Sequence, residues 1–277
     1  MEVLKTIAEM RQARKASKKT MGFVPTMGYL HEGHISLVRQ ARAKNKLVAV
    51  SIFVNPTQFG PKEDFRTYPR DTKRDLAMLK PHTDFVFMPS DEEMYPEGYD
   101  SWVEVKSITD VLEGLARPEH FRGVSTVVLK LFNIVQPNRA YFGQKDAQQL
   151  AVIKKMVKDL DVNIDIIACP TVRESDGLAM SSRNTYLTPE QRRSAPVLYQ
   201  SLQLAQELAK QGEWDALAIR KEMTKLIQKE SQADIEYISI ADNETLKEIH
   251  RIKYPALVSM AVRFGRTRLI DNLVLVE

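Results

Sequence analysis

Residues 21–41 demand a strand, a glycine-bearing turn and a helix in immediate succession, and this restricts what the chain can become. Residues 21–24 form a short apolar run that reads as a buried strand. Downstream, Ile35, Leu37, Val38 and Ala41 recur at helical spacing, with Arg39 and Arg42 on the opposite side. Pro25, Gly28 and Gly33 lie between. A strand that turns through glycine into a helix leaves backbone N–H groups and a positive dipole end at the helix start, which suits a phosphate. His31 and His34 stand there three residues apart, a spacing that points both rings to one side. Gly33 between them lets a ligand come close to the backbone. Two histidines also fit an exposed polar helix start, and their spacing leaves both readings open. A zinc-protease site needs His at i and i+4 with Glu beside the first, which the i, i+3 pair does not supply. The turn also lacks the Gly-Lys-Ser/Thr of a Walker A loop and any G-x-G-x-x-G. What these exclusions leave is a phosphate site that uses imidazoles where other folds use a lysine.

The rest of the chain extends this unit. Residues 2–16 read as an amphipathic helix with Val3, Ile7, Met10 and Ala13 on one side. Residues 47–54 are apolar almost without interruption, as in a parallel strand covered on both faces. A charged helix over 71–80, a strand over 84–88 and another over 102–106 follow. Residues 124–135 are apolar nearly all round, and their length favours a buried helix over a strand. A strand over 140–143, a helix over 148–160 and a strand over 164–173 complete the series. Strands alternating with helices predict an α/β doubly wound parallel sheet. In such sheets ligands bind beyond the carboxyl ends of the strands. Residues 25–27, 55–58 and 143–146 each follow a predicted strand and are therefore expected at one edge.

A boundary is expected near Asp176–Gly177, giving a first domain over 1–176 and a second over 177–277. In the second, Thr188, Pro189 and Gln191 form a capping-box start. Pro196 interrupts or restarts that helix. Helices over 197–211 and 214–230 precede strands over 235–241, 256–263 and 267–276, a smaller α+β domain.

Pro25-Thr26-Met27-Gly28 followed by His31-Glu32-Gly33-His34 resembles the nucleotide-binding signature of the pantothenate synthetase (pantoate–β-alanine ligase) family. These are His-x-Gly-His nucleotidyltransferases with a Rossmann-like fold. The resemblance extends through Asn55-Pro56-Thr57-Gln58-Phe59, Tyr68-Pro69-Arg70, Gly143-Gln144-Lys145-Asp146 and Met180-Ser181-Ser182-Arg183-Asn184. It implies ATP-dependent condensation of pantoate with β-alanine through pantoyl adenylate, the second domain acting as a lid over ATP. It implies ATP contacts for Pro25, Thr26, Met27, His31, Gly33, His34, Gly143, Lys145, Asp146, Val172, Met180, Ser181, Ser182 and Arg183. Of these, His31, His34, Lys145, Ser182 and Arg183 carry the catalytic roles. Met27, Gln58 and Gln149 are implied for pantoate, and Asn55, Tyr68 and Arg117 for the β-alanine side. Ala147 departs from the pattern, in which an aromatic is common. Taken alone, amides such as Asn55 and Gln58 more often satisfy local backbone, a lysine after a strand is more often solvated, and the 180–184 loop also fits a linker capping the next helix.

Other function classes fit less well. The 40 basic residues are interspersed with 36 acidic ones, a net charge of +4, without the aromatic-lined basic stripe of a nucleic-acid binder. The single cysteine, Cys169, excludes an intrachain disulfide framework and, within an apolar run, reads as a buried structural thiol. No signal-peptide core or ~20-residue apolar span is visible, so a cytoplasmic enzyme is expected, with no membrane or nucleic-acid partner. No cluster has zinc-ligand spacing, so no protein metal ligands are expected; Mg²⁺ is expected to arrive with ATP, held by phosphates and water. The family resemblance implies a homodimer. The nearest alternative activity is another His-x-Gly-His nucleotidyltransferase with a different small acceptor.

Overall fold

A parallel sheet of six strands carries the N-terminal part of the chain in this computed structural model, which describes residues 1–61 and 63–277. Its strands are β1 (Glu2–Leu4), β2 (Met21–Thr26), β3 (Leu47–Ile52), β4 (Phe85–Phe87), β5 (Arg139–Gly143) and β6 (Asp165–Cys169). They run in the order β1-β4-β3-β2-β5-β6, every pair parallel. From β2 the chain moves outward to β3 and β4 on one side and to β5 and β6 on the other. The order therefore reverses between β2 and β5, the switch point where doubly wound sheets bind ligands. The connecting helices are α1 (Ile7–Lys15), α2 (Glu32–Lys44), α3 (Thr72–Leu79), the short α4 (Asp91–Met94) and α5 (Glu113–Ala116), then α6 (His120–Val135) and α7 (Ala147–Asp159).

Alternation along β2 explains why both faces are covered. Successive side chains point to opposite faces. Val24 joins Val48, Val50 and Tyr141 in a core closed by Ile35, Val38 and Ala41 of α2 and Leu79 of α3. Phe23 points the other way and meets Phe132 of α6 edge-on, 6.5 Å between centroids, and Phe132 meets Phe142 at 6.4 Å.

The predicted helix over 2–16 begins too early. Residues 2–4 pair with β4 instead, and α1 starts only after Thr6, whose hydroxyl caps the Glu9 N–H while the Glu9 carboxylate accepts from the Thr6 N–H. The predicted strand over 102–106 does not form. Val103 donates its N–H to Thr126 Oγ1 of α6 at 2.9 Å, and the segment joins no sheet. The buried helix is present and begins a turn before the predicted 124, at His120.

The chain divides into two compact units, one of residues 1–143 and 149–170, the other of residues 144–148 and 171–277. In the second, α8 (Pro189–Ser194) starts with the expected Thr188–Gln191 capping box, and α9 (Val197–Lys210) restarts at Pro196. α10 (Ala216–Ile227) and the antiparallel β7 (Ala233–Asp242), β8 (Ala256–Phe264) and β9 (Thr267–Leu275) follow. Leu198, Leu202, Ile219 and Met223 close a core against Val258, Met260 and Val262. Among the described residues, no helix is long and apolar enough to cross a membrane.

Candidate active site

β2, β3 and β5 are adjacent and parallel, so the segments after Thr26, Ile52 and Gly143 leave the sheet at one edge. After β2, the Thr26 hydroxyl donates to the Ser51 carbonyl at 2.7 Å and accepts from the Gly28 N–H at 3.2 Å. Gly28 has φ of +81°, and an added Cβ there would sit 3.0 Å from Ile52 and 3.1 Å from an Asp75 oxygen. The turn leads directly into α2, whose N-cap is His31. His31 Nδ1 accepts from the Gly33 N–H at 3.1 Å, and His34 Nδ1 accepts from the His31 N–H at 3.3 Å. The two imidazoles thus form a capping box, the rings 4.1 Å apart. An Nδ1 that accepts carries no proton, so each neutral ring holds its proton at Nε2, the atom farther from the backbone. The pair presents donors at a helix N-terminus, the chemistry an oxyanion needs.

Asp75 of α3 holds this turn, and nothing in the sequence singled it out. Its two oxygens accept from the Tyr29 and Leu30 N–H groups, each at 2.7 Å, and it is 1% exposed. Burial pushes its carboxyl above the usual aspartate range, against the lowering pull of those two amides. The partners are 45 and 46 residues away, beyond any local pattern.

After β3, Asn55 is buried and its side chain is fully engaged. It donates to Gln58 Oε1 at 3.1 Å and to the Gly123 carbonyl at 3.2 Å, and accepts from the Tyr95 hydroxyl at 2.8 Å and Thr57 Oγ1 at 3.0 Å. Burial pushes the Tyr95 phenol up to about 12, which keeps it a donor. Gln58 Nε2 lies 3.2 Å from Met27 Sδ, which brings two of the residues implied for pantoate together. Gly123 is required here, since a Cβ would stand 2.4 Å from the Thr57 carbonyl oxygen.

Arg117 forms two 2.6 Å contacts with the Glu63 carboxylate and a third, of 3.0 Å, with His120 Nε2. Arginine only donates, so His120 Nε2 accepts and its Nδ1–H donates to the Gln58 carbonyl at 2.8 Å. Burial, then the Arg117 charge, lowers the His120 pKa to about 4, so the ring is neutral at ordinary pH. His120 is a second residue whose part the sequence did not announce. Tyr68 is buried and meets Phe59 edge-on at 6.0 Å. Gln149 lies half-buried in the first turn of α7.

The second unit holds the other implied phosphate residues. Residues 144–146 form one 3₁₀ turn, with Lys145 Nζ 3.8 Å from Asp146 Oδ1. Residues 172–180 double back on themselves, the Met180 N–H donating to the Val172 carbonyl at 3.0 Å. Ser181 then caps a 3₁₀ turn over Ser182–Tyr186, its hydroxyl accepting from the Arg183 N–H at 3.2 Å. Ser182 is buried. Asn184 is tied to Glu174 at 2.9 Å, and Arg192 to Glu174 and Asp176, each at 2.6 Å, which braces this loop against α8. Among the described residues, no group of three or more His, Cys, Asp or Glu side chains is placed to hold a metal ion.

Comparison with known proteins gives one consistent answer. The family profile described as Pantoate-beta-alanine ligase matches residues 2–274. The pantothenate synthetase of Acetivibrio thermocellus is 57% identical over 99% of both chains, and that of Thermotoga neapolitana 54% identical over 99% of this chain and all of its own. The crystal structure of pantothenate synthetase from Thermus thermophilus superposes with a TM-score of 0.95 at 47% identity, covering 99% of both chains. The pantoate-beta-alanine ligase of Francisella tularensis, described as complexed with beta-gamma ATP and beta-alanine, gives 0.81 at 37% identity, covering 99% of this chain and 97% of its own. With a six-stranded doubly wound sheet, an imidazole-capped helix at its switch point and similarity along its whole length, this chain belongs to the pantoate–β-alanine ligase family.

Proposed function

We propose that this chain condenses pantoate with β-alanine, consuming ATP and giving pantothenate, AMP and pyrophosphate. A carboxylate oxygen of pantoate attacks the α-phosphorus of ATP, the bond to the β-phosphate oxygen breaks, and pyrophosphate leaves. The β-alanine amine then attacks the acyl carbon of pantoyl adenylate, AMP leaves, and the amine gives up a proton. Both reactants of the first step are anions, so screening of charge and alignment are what the protein must supply. The observation that carries this reading is the capping box of His31 and His34, which sets two imidazoles side by side at the N-terminus of the helix after β2.

In this reading His31 and His34 bind the phosphates beside the backbone of Pro25, Thr26, Met27, Gly33 and Gly143. Lys145, Ser182 and Arg183 neutralise charge on the triphosphate, with Asp146, Val172, Met180 and Ser181 completing the nucleotide site. Met27, Gln58 and Gln149 take pantoate, and Arg117 and Tyr68 face β-alanine. Asn55, held by four partners, serves that side through the Gln58 turn. Mg²⁺ accompanies ATP, held by phosphate oxygens and water.

The order of steps is directly testable. With pantoate and ATP alone, labelled pyrophosphate is expected to exchange into ATP; exchange that requires β-alanine would overturn a separate adenylate. A cytoplasmic homodimer is part of the same proposal. Sedimentation at micromolar concentration is expected to give twice the chain mass, and a monomer would refute it.

A further inference from the structure

Residues 144–148 belong with the second unit although β5 before them and the rest of α7 after them belong with the first. A side-chain hydrogen bond ties them to β9. Asn272 of β9, 4% exposed, donates from Nδ2 to the Lys145 carbonyl at 2.7 Å. Its Oδ1 lies 3.4 Å from Gln144 Nε2. A lysine has a flexible four-carbon stem, so its ammonium is aimed chiefly by fixing the peptide that carries it. Asn272 does so from within β9, an edge strand held to β8 by pairing over its whole length.

The neighbouring residue reaches the other phosphate segment. Asp271 is 1% exposed and accepts from Arg173 twice, at 2.6 and 3.0 Å, and from the Asn272 N–H at 2.8 Å. Arg173 also donates to the Gly177 carbonyl at 3.1 Å and lies 4.0 Å from the Tyr199 ring centroid. A buried ion pair is weak evidence for stability, because desolvation offsets the attraction, but a bidentate, stacked pair fixes geometry. Arg173 opens the 172–180 turn that delivers Ser181, Ser182 and Arg183. Two consecutive residues of one strand thus grip both segments, Asn272 the Lys145 turn and Asp271 the turn before Arg183.

We propose that Asn272, with Asp271 beside it, is a positioning residue for adenylation: the pair sets the spacing between Lys145 and the Ser181–Arg183 segment so that both address one phosphate chain. The proposal rests on the reading of Lys145 and Arg183 as phosphate-binding. Asn272 touches no substrate in this account and acts only through the Lys145 peptide.

The test is a double-mutant cycle read by pyrophosphate exchange, with Lys145→Ala and Asn272→Ala singly and together, and circular dichroism as the check on folding. Asn272→Ala is expected to lower the maximal exchange rate about tenfold, the effect of a misplacement near 1 Å being of that order or larger. KM for pantoate is expected to stay within twofold. In the Lys145→Ala background the same change is expected to have no further effect. A full further tenfold loss there, or a wild-type rate for Asn272→Ala, would overturn the positioning role. A wild-type rate for Lys145→Ala would instead remove the underlying assignment of Lys145, and the proposal with it. If Asn272→Ala fails to fold, Asn272→Ser, which keeps a polar group on the strand but is too short to hold the Lys145 carbonyl, gives the same comparison.

Discussion

Replacing His34 with alanine is expected to lower pantoate-dependent pyrophosphate exchange by about 10²–10³-fold, the usual loss when one preorganised donor to a developing oxyanion is removed. The same change takes away the acceptor of the His31 N–H, and loss of a helix cap costs about 1 kcal/mol of stability. His34→Asn separates the two effects. An asparagine side-chain oxygen can take the place of Nδ1 in the cap but has nothing at the position of Nε2. Stability close to wild type with activity as low as His34→Ala is the expected result, measured by thermal denaturation and exchange together. Full activity in His34→Asn would show that His34 acts only as a cap.

Asp75→Ala is expected to be the most damaging single change to the turn after β2. It leaves the Tyr29 and Leu30 N–H groups without their acceptor, and a buried donor left unsatisfied costs about 1–3 kcal/mol. Two such donors and the lost packing give an expected loss of about 3–5 kcal/mol in urea denaturation. Exchange activity is expected to fall with it, because the loosened turn is the one that delivers His31 to the start of α2. Asp75→Asn retains one carbonyl oxygen and is expected to fall between. Denaturation of Asp75→Ala within about 0.5 kcal/mol of wild type, the range of an ordinary surface substitution, would show that the turn holds its shape without the clamp.

The two clamps, Asp75 and His120, mark the limit of what a linear reading supplies. The strand, turn and helix over 21–41 were legible because apolar spacing, glycine and a helix start all lie within a few residues. The Thr188 capping box was legible for the same reason. Asp75 acts across 45 residues and His120 across 62, and neither distance leaves a local trace. The missed β1 is a strand of three residues, too short to show a period, although Thr6 and Glu9 already marked where α1 begins. At 102–106 the alternation of Trp102, Val103, Glu104, Val105 and Lys106 is real, with Val105 buried and its neighbours more exposed. A strand also needs a partner, and Thr126 of α6 takes the Val103 N–H. The family blocks name residues one at a time and leave their partners unstated. The structure adds that Asn55 is bound up in holding its own loop and that Arg117 is paired with Glu63.

Cys169 ends β6 with 1% of its surface exposed, and burial pushes its thiol up to about 11. At neutral pH almost none of it is thiolate, the form that reacts with maleimides, disulfides and peroxide. The chain therefore offers a background nearly silent to thiol chemistry. A cysteine introduced at an exposed position such as Leu115 or Leu217, 74% and 48% accessible, would take a spectroscopic label alone, with no need to remove the native thiol first.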